Sequence, residues 1–514
     1  MKTHTVKAGE NLEDIAGQYG YADWMQIYLH EANAELRKKK PSPGEIGPGD
    51  QLQVPPPPSA AEHNVSTSGS IKLVVSKVHR GTLFWNRTWN YSDSTKPLPA
   101  PLKEFLPSAK IELHIQKKGA SSLSLHASSH LSETGEFYFK DVPECTQMAL
   151  KVFLEHRDRI VVLKGISNAA SDADFEVKNG QVVWHQLTLD LSKVEKAGSD
   201  ANFGEVELKK PLFVALCEAY KSIWVGHLRI KLLAGYTLNL CTVNYPSTDT
   251  SYNSGNKVYL LEDDLKDRSV ILHEYGHFIG DEVLGGLKLK HPIYDYNDDA
   301  GNQHARDTKE HYEAAWFEGH ATFLSCVMRG TPVYHDGYDT APNELTYTLD
   351  ADNTQVGPHS EGSIQEALWR VHAVHKVDFK TGFWTAFSTR TRRTVQTIFE
   401  LYDNWKDLGC PALDKLKEAY GHFNMKYGYR YTKRFALVKA PLTFDEKGGK
   451  FTTLQELYEA FGKVGGGTLG EYEEEFYNRN KKFNTSSLDP SATPTNIKLL
   501  DGMSYIVPER FEIS

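Results

Sequence analysis

Long apolar runs are missing from this 514-residue sequence. No stretch approaches the roughly 20 consecutive apolar residues that a membrane-spanning helix needs. The N-terminus, MKTHTVKAGENLEDIAG, also lacks the apolar core of a Sec signal. The expectation is synthesis in the cytoplasm, then retention there or exit by a route that reads no such signal. Cysteine is scarce. Cys145, Cys217, Cys241, Cys326 and Cys410 are scattered, odd in number and never spaced as CxxC. That argues against a disulfide framework and for reduced, mostly buried thiols. A basic excess is absent as well: 58 Lys and Arg face 67 Asp and Glu, a net charge of −9. Nucleic acid is therefore not expected as the main partner. The run Lys38-Lys39-Lys40 and the cluster Arg390, Arg392 and Arg393 read as solvated faces. The glycine-rich GKVGGGTLG at 462–470 is a hinge and no P-loop, since no strand precedes it and no Gly-Lys-Ser/Thr closes it.

What is there is too long for one core, and three or four domains are the natural expectation. The chain is organised around Asp267 to Gly286, DRSVILHEYGHFIGDEVLGG. Asp264 or Asp267 can cap this segment as a helix, and Gly285-Gly286 can stop it. Val270, Ile271, Phe278 and Ile279 supply apolar contacts. His273 and His277 lie four apart, hence on one helical face, where both imidazoles can reach a single zinc ion. Glu274, one position on, can take a proton from a water at that ion. Gly276 in mid-helix costs about 1 kcal/mol relative to Ala, which argues for a close approach there.

A second helical segment, DTKEHYEAAWFEGHATFLSCVMR, runs from Asp307 to Arg329, with Asp307 and Glu310 as a capping-box-like start. Glu318 sits at its centre among Ala314, Ala315, Ala321 and Thr322. A carboxylate on such a small, buried face needs a partner. Either Glu318 pairs with an Arg or Lys, or it completes a His-His-Glu zinc set with water in the fourth position.

HEYGH followed by WFEGHATF resembles the gluzincin metallopeptidases, whose pattern is HExxH and then a Glu in an EGxA-type helix. The resemblance covers about 215–428. It implies Zn2+ held by His273, His277 and Glu318, with Glu274 as general base, and a protein or peptide as substrate. Thermolysin-like members carry an Asp one turn after the Glu ligand, where this chain has Thr322. Asp281, one turn after His277, then either orients a ligand or is a solvated carboxylate at the helix end. A donor for the oxyanion is also needed. His304, His311, Tyr312 and His359 are the candidates, and none is singled out.

The N-terminal residues form the pattern V-x-x-G-E-x-L-x-x-I-A, then N-x-x-L, then I-x-P-G-D-x-L-x-V-P, which resembles a LysM domain. LysM modules bind N-acetylglucosamine chains such as peptidoglycan, or serve as adaptors in phage-like contractile tails, and both partners stay open. TGEFYFKDVPECTQMALKVF resembles the repeat of carboxypeptidase-regulatory or transthyretin-like domains. The fold expectation is a multidomain α+β chain. It comprises a LysM βααβ unit at 1–55, a Pro/Ser-rich linker at 56–70, and a β-sandwich at 71–195. A mainly helical, zincin-like metallopeptidase domain with a small sheet follows at 203–440. A C-terminal extension at 441–514 ends in a β-hairpin around Asp501-Gly502. The linker should let the LysM unit sit apart, and Thr237 to Pro246 is the candidate edge strand for substrate. The functional expectation is a zinc metallopeptidase acting as a bacterial effector or tail-associated protease, exported by a contractile injection system. The alternatives are a LysM-targeted peptidoglycan endopeptidase and a structural adaptor with a vestigial zincin fold.

Overall fold

The computed structural model describes residues 1–285 apart from 8–9, 11, 20–23, 29, 41–45, 56–77, 90–96, 168–169, 172–174, 194–199 and 249. It then describes 312–336, 345–351, 357–358, 360–389 and 394–423, with short stretches beyond at 425, 429–430, 438–439, 442–444, 449–451, 453–459, 469–470, 476, 504–505 and 509–510. The linker at 56–70 thus lies outside the described residues. Two compact units emerge. Unit 1 holds Met1–Glu282 and Leu324–Thr348, and unit 2 holds Val283–Phe323 and Leu349–Ser514.

In unit 1 the chain begins with strand β1 (Lys2–Thr5), helices α1 (Leu12–Gln18), α2 (Met25–Tyr28) and α3 (Ala34–Lys39), and strand β2 (Gln51–Val54). β1 and β2 pair antiparallel, Lys2 opposite Val54. Leu12, Ile15, Trp24, Ile27 and Leu52 are buried in one core, and Trp224 and Val225 belong to the same core. The Arg229 guanidinium also lies over the Trp24 ring, 4.5 Å from its centroid. Contrary to the expectation of a unit sitting apart, residues 1–55 are packed into the body of unit 1. The reason is that their few apolar side chains reach full burial only against a second element.

Among the described residues the chain continues with β3 (His79–Trp89), β4 (Pro97–Phe105), β5 (Ala109–Lys117), β6 (Ser124–His130), β7 (Glu136–Phe139) and β8 (Cys145–His156), then β9 (Val161–Gly165), β10 (Ala170–Ser171), β11 (Phe175–Val177), β12 (Trp184–Thr188), β13 (Ala201–Glu207) and, after helix α4 (Pro211–Ala234), β14 (Cys241–Tyr245). The hairpin β15 (Tyr252–Ser254) and β16 (Lys257–Tyr259) follows. Alternation explains the strands: in β5, Ala109, Ile111, Leu113 and Ile115 are buried and the residues between are half-buried. One sheet has the order β10-β11-β12-β8-β9-β14-β16-β15, with β5 beside β8 and β6 beside β5, and a second joins β13, β3, β4 and β7.

Two expectations change here. The ranges 71–195 and 203–440 share one sheet, because β14 pairs in parallel with β9, Cys241 opposite Val161. Thr237 to Pro246 is not an edge either. Its strand is hydrogen-bonded on one side to β9 and on the other to β16, so its backbone groups are already spent.

α4 starts at Pro211 in its first turn and stops at Gly235, whose φ of 69° is the left-handed value glycine accepts. It is buried along most of its length, as its all-round apolar sequence demands. Its charges are paired inside. Lys221 and Arg87 both engage Glu104, the latter at 2.9 Å, and Glu218 holds Arg268 at 2.8 Å. Burial alone would raise the Glu104 carboxyl, but Lys221 and Arg87 hold it below the ordinary range.

Next come helices α5 (Arg268–Leu284) and α6 (Tyr312–Arg329), each with residues in both units. Strands β17 (Val333–Asp336) and β18 (Leu345–Thr348) then pair antiparallel. Unit 2 continues with α7 (Glu361–Trp369), π-helical turns at Arg370–Val374 and Lys380–Trp384, α8 (Thr385–Ser388), α9 (Ile398–Asp407) and α10 (Leu413–His422). Among the described residues no helix is long and apolar enough to cross a membrane. No disulfide joins the five cysteines. At the C-terminus Ser504–Tyr505 pairs with Val438–Lys439 and Glu509–Arg510 with Tyr429–Arg430, so both segments pair with an earlier part of the chain. The first arm of the hairpin expected around Asp501-Gly502 lies outside the described residues, as do Asp501 and Gly502 themselves.

Candidate metal centre

Of the two possible caps for α5, the structure uses Asp267. Its Oδ1 accepts from Ser269 N at 2.9 Å and Val270 N at 3.3 Å, satisfying two of the helix's orphan donors. Gly285, at φ 84°, follows the last turn. Ile271, Leu272, Tyr275, Phe278 and Ile279 are buried. Gly226 of α4 lets that helix come close: a Cβ there would stand 2.7 Å from Leu272 Cδ2 and 2.9 Å from Met328 Sδ. Ser325 Oγ on α6 donates to Ser269 O at 2.8 Å, tying the C-terminal half of α6 to the start of α5.

On that frame His273, His277 and Glu318 come together, each offering one ligand atom, all within 4.8 Å of one another. They are 8%, 3% and 4% exposed. The two Nε2 atoms are 3.0 Å apart and the rings nearly perpendicular, at 89°. Two nitrogens bound tetrahedrally at 2.0–2.1 Å would be separated by about 3.3 Å, so the pair is close to the spacing zinc requires. A buried carboxylate converging on two imidazoles is a donor set that a divalent cation satisfies. These residues fit zinc.

Glu274 is also buried, at 7% exposed, on the same helix. Asp281 is half-buried one turn beyond His277, and Thr322 is buried one turn beyond Glu318. Gly319, beside Glu318, faces α7: a Cβ there would stand 2.8 Å from the Glu361 carbonyl oxygen and 2.9 Å from Ile364 Cβ. His304, His311 and His359 lie outside the described residues, as does the side chain of Tyr312.

Sequence reasoning missed Tyr334. It arrives from β17, and its ring centroid is 6.0 Å from that of His273, edge to face at 64°. Neither helical spacing nor a motif marks it, because a strand sixteen residues after Glu318 has no fixed phase with the helix. Burial, then the Asp336 charge, pushes its phenol well above the ordinary range, so the hydroxyl keeps its proton. The neighbouring His335 is buried, with Nδ1 2.8 Å from Thr346 Oγ1 and Nε2 3.8 Å from Asp267 Oδ2. Burial and then Asp336 push the Asp267 carboxyl up to about 8, with Arg329 pulling the other way.

Residues 237–414 match the mycolysin C-terminal domain. The match covers less than half of the chain and contains both halves of the His-His-Glu group. The mycolysin family is zinc-dependent, and the match points to a metallopeptidase. No curated protein matches the sequence. Fourteen solved chains match by structure. One is the major plantain pollen allergen Pla l 1, with a TM-score of 0.15 and 11% identity over 26% of this chain and 92% of that one. Another is a 9R-lipoxygenase from Cyanothece PCC8801, with a TM-score of 0.13 and 12% identity over 40% of this chain and 29% of that one. The chain thus spans less than a third of the lipoxygenase.

Proposed function

We propose that the chain is a zinc metallopeptidase that hydrolyses peptide bonds with Glu274 as general base. The convergence of His273, His277 and Glu318 on one point carries the reading. Zinc held there would polarise a carbonyl and acidify a water. Glu274 directly follows His273, the position from which the Glu of an HExxH pattern acts as base. It takes the proton of the attacking water and returns it to the leaving amine. The mycolysin-domain match over 237–414 supports the same reading. Elemental analysis of protein purified without added zinc tests it. About one zinc per chain is expected in wild type and little in Glu318→Ala. No metal in either protein would leave the adaptor reading.

Residues 1–55 we read as a LysM-like module, a reading supported by helices lying between two strands that pair antiparallel, although three helices, α1 to α3, stand where the βααβ pattern has two. As an adaptor it would place the peptidase on a contractile secretion or prophage tail apparatus, making the chain an exported effector. As a glycan binder it would make the chain a peptidoglycan endopeptidase. Retention on insoluble peptidoglycan that disappears with residues 1–55 would favour the second.

A further inference from the structure

A buried charge needs compensation, and Arg229 on α4 is only 2% exposed. Its Nε donates to Val327 O at 3.4 Å. Val327 is among the last four residues of α6, whose carbonyls find no donor one turn on within the helix. The same oxygen receives the longer of two bonds from Gly330 N, 3.2 Å against 2.8 Å to Cys326 O. The guanidinium also sits against the turn that ends the helix, since a Cβ on Gly330 would stand 3.7 Å from Arg229 Nη2. A cation at this end of a helix is favoured by the helix dipole as well. We propose that Arg229, held by Trp24, caps α6 and positions the helix that carries Glu318, so that residues 1–55 set how tightly the centre holds zinc. The assignment rests on the metallopeptidase reading above.

Three further contacts turn this cap into a positioning device. The guanidinium lies 4.5 Å from the Trp24 ring centroid, and Trp24 is 4% exposed, so the stacked pair is shut off from water. Gly226, one turn before Arg229, is where α4 meets both other helices without slack, through Leu272 Cδ2 of α5 and Met328 Sδ of α6. Ser325 Oγ ties the same end of α6 to Ser269 O of α5. That end is thus fixed to α4 and α5 at once. Glu318 lies nine residues earlier on α6, about 14 Å along a stiff rod. Zinc–ligand distances tolerate about 0.2 Å, so a small slip of α6 against α5 costs affinity.

The competing role is plain packing, in which Trp24 and Arg229 fill space and only stability depends on them. Zinc affinity, measured where every variant is folded, separates the two. The full chain is stripped of metal and its zinc dissociation constant is read by competition with a chromophoric chelator, with the melting temperature recorded beside it. Arg229→Met keeps most of the side chain's length and removes the cap. Trp24→Leu keeps an apolar side chain and removes the ring, whereas Trp24→Phe keeps a ring. Ile27→Ala opens a hole in the same core and leaves both partners of the stack in place. Zinc binding is expected to weaken by about tenfold or more in Arg229→Met and by a smaller factor in Trp24→Leu. It should stay within about twofold of wild type in Trp24→Phe and in Ile27→Ala, although Ile27→Ala melts earlier. Unchanged affinity in both Arg229→Met and Trp24→Leu would overturn the assignment and leave the metallopeptidase reading intact. An equal loss in Ile27→Ala would overturn it too, since a loosened core would then suffice. If Arg229→Met does not fold, the two Trp24 variants decide alone, and equal zinc affinities in them overturn the assignment. A wild-type chain that binds no zinc overturns the metallopeptidase reading, and this assignment with it.

Discussion

Glu274 and Asp267 lie seven residues apart on one buried segment and make different demands on it. Glu274→Gln keeps the shape and the neighbouring imidazoles but removes the carboxylate proposed as the base. Zinc content should hold while peptide hydrolysis falls about 10²- to 10⁴-fold, as judged by metal analysis and a peptide assay on the same preparation. Asp267 caps α5 through Oδ1 and is pushed up to about 8 in the folded protein from an ordinary value of 3.8. The folded state therefore binds this proton more tightly than the unfolded chain. Its contribution to stability is complete below about pH 4 and is lost as pH rises toward 8. Asp267→Asn preserves an oxygen acceptor for the cap and carries no charge. The melting temperature of the variant should fall less than that of wild type between pH 5 and pH 8. An identical fall in both would show that another group sets the slope.

Among the elements, close helix approach is the feature most exposed to mutation. Gly226 and Gly319 both sit where a Cβ would overlap a neighbour, but the neighbours differ. At Gly226 the nearest atoms are Leu272 Cδ2 and Met328 Sδ, the ends of flexible side chains. At Gly319 they are the Glu361 carbonyl oxygen and Ile364 Cβ, which cannot move without shifting α7. Gly319→Ala should therefore destabilise more than Gly226→Ala, by about 1–3 kcal/mol against a smaller loss that helix propensity partly offsets. Urea denaturation of the two variants checks the order. The EGxA pattern thus carries a packing requirement beside its candidate metal ligand.

At the scale of the whole molecule, the packing of residues 1–55 into unit 1 makes a thermal prediction. A tethered module melts on its own, whereas one sharing a core with Trp224 and Val225 unfolds with what it covers. Calorimetry of the full chain should show no separate transition for 1–55, and removing these residues should lower the melting temperature of the remainder. Burying one large apolar side chain contributes about 1.5–3 kcal/mol, so exposing two should be easily seen. His156 and His227 set an acid limit. Both are buried, and burial pushes each down to about 4. Depressed histidines contribute stability above about pH 6.5 that is lost as pH falls toward 4, the opposite sense to Asp267.

Local chemistry was legible in the sequence alone. The i, i+4 imidazoles of α5 and the carboxylate among alanines on α6 follow from helical periodicity, which needs no knowledge of the rest of the fold. So does Gly285 as a helix stop, since only the backbone of the last turn decides it. What the tertiary structure decided is everything that depends on non-local pairing. The parallel β9–β14 ladder carries one sheet across an expected domain boundary, and with it Thr237 to Pro246 goes from edge to interior. Trp24 finds Arg229 some two hundred residues away. Tyr334 reaches His273 from a strand whose register is set by β18. Such contacts are chosen by burial and by the pairing of backbone groups over the whole chain, and no spacing within a single segment encodes them.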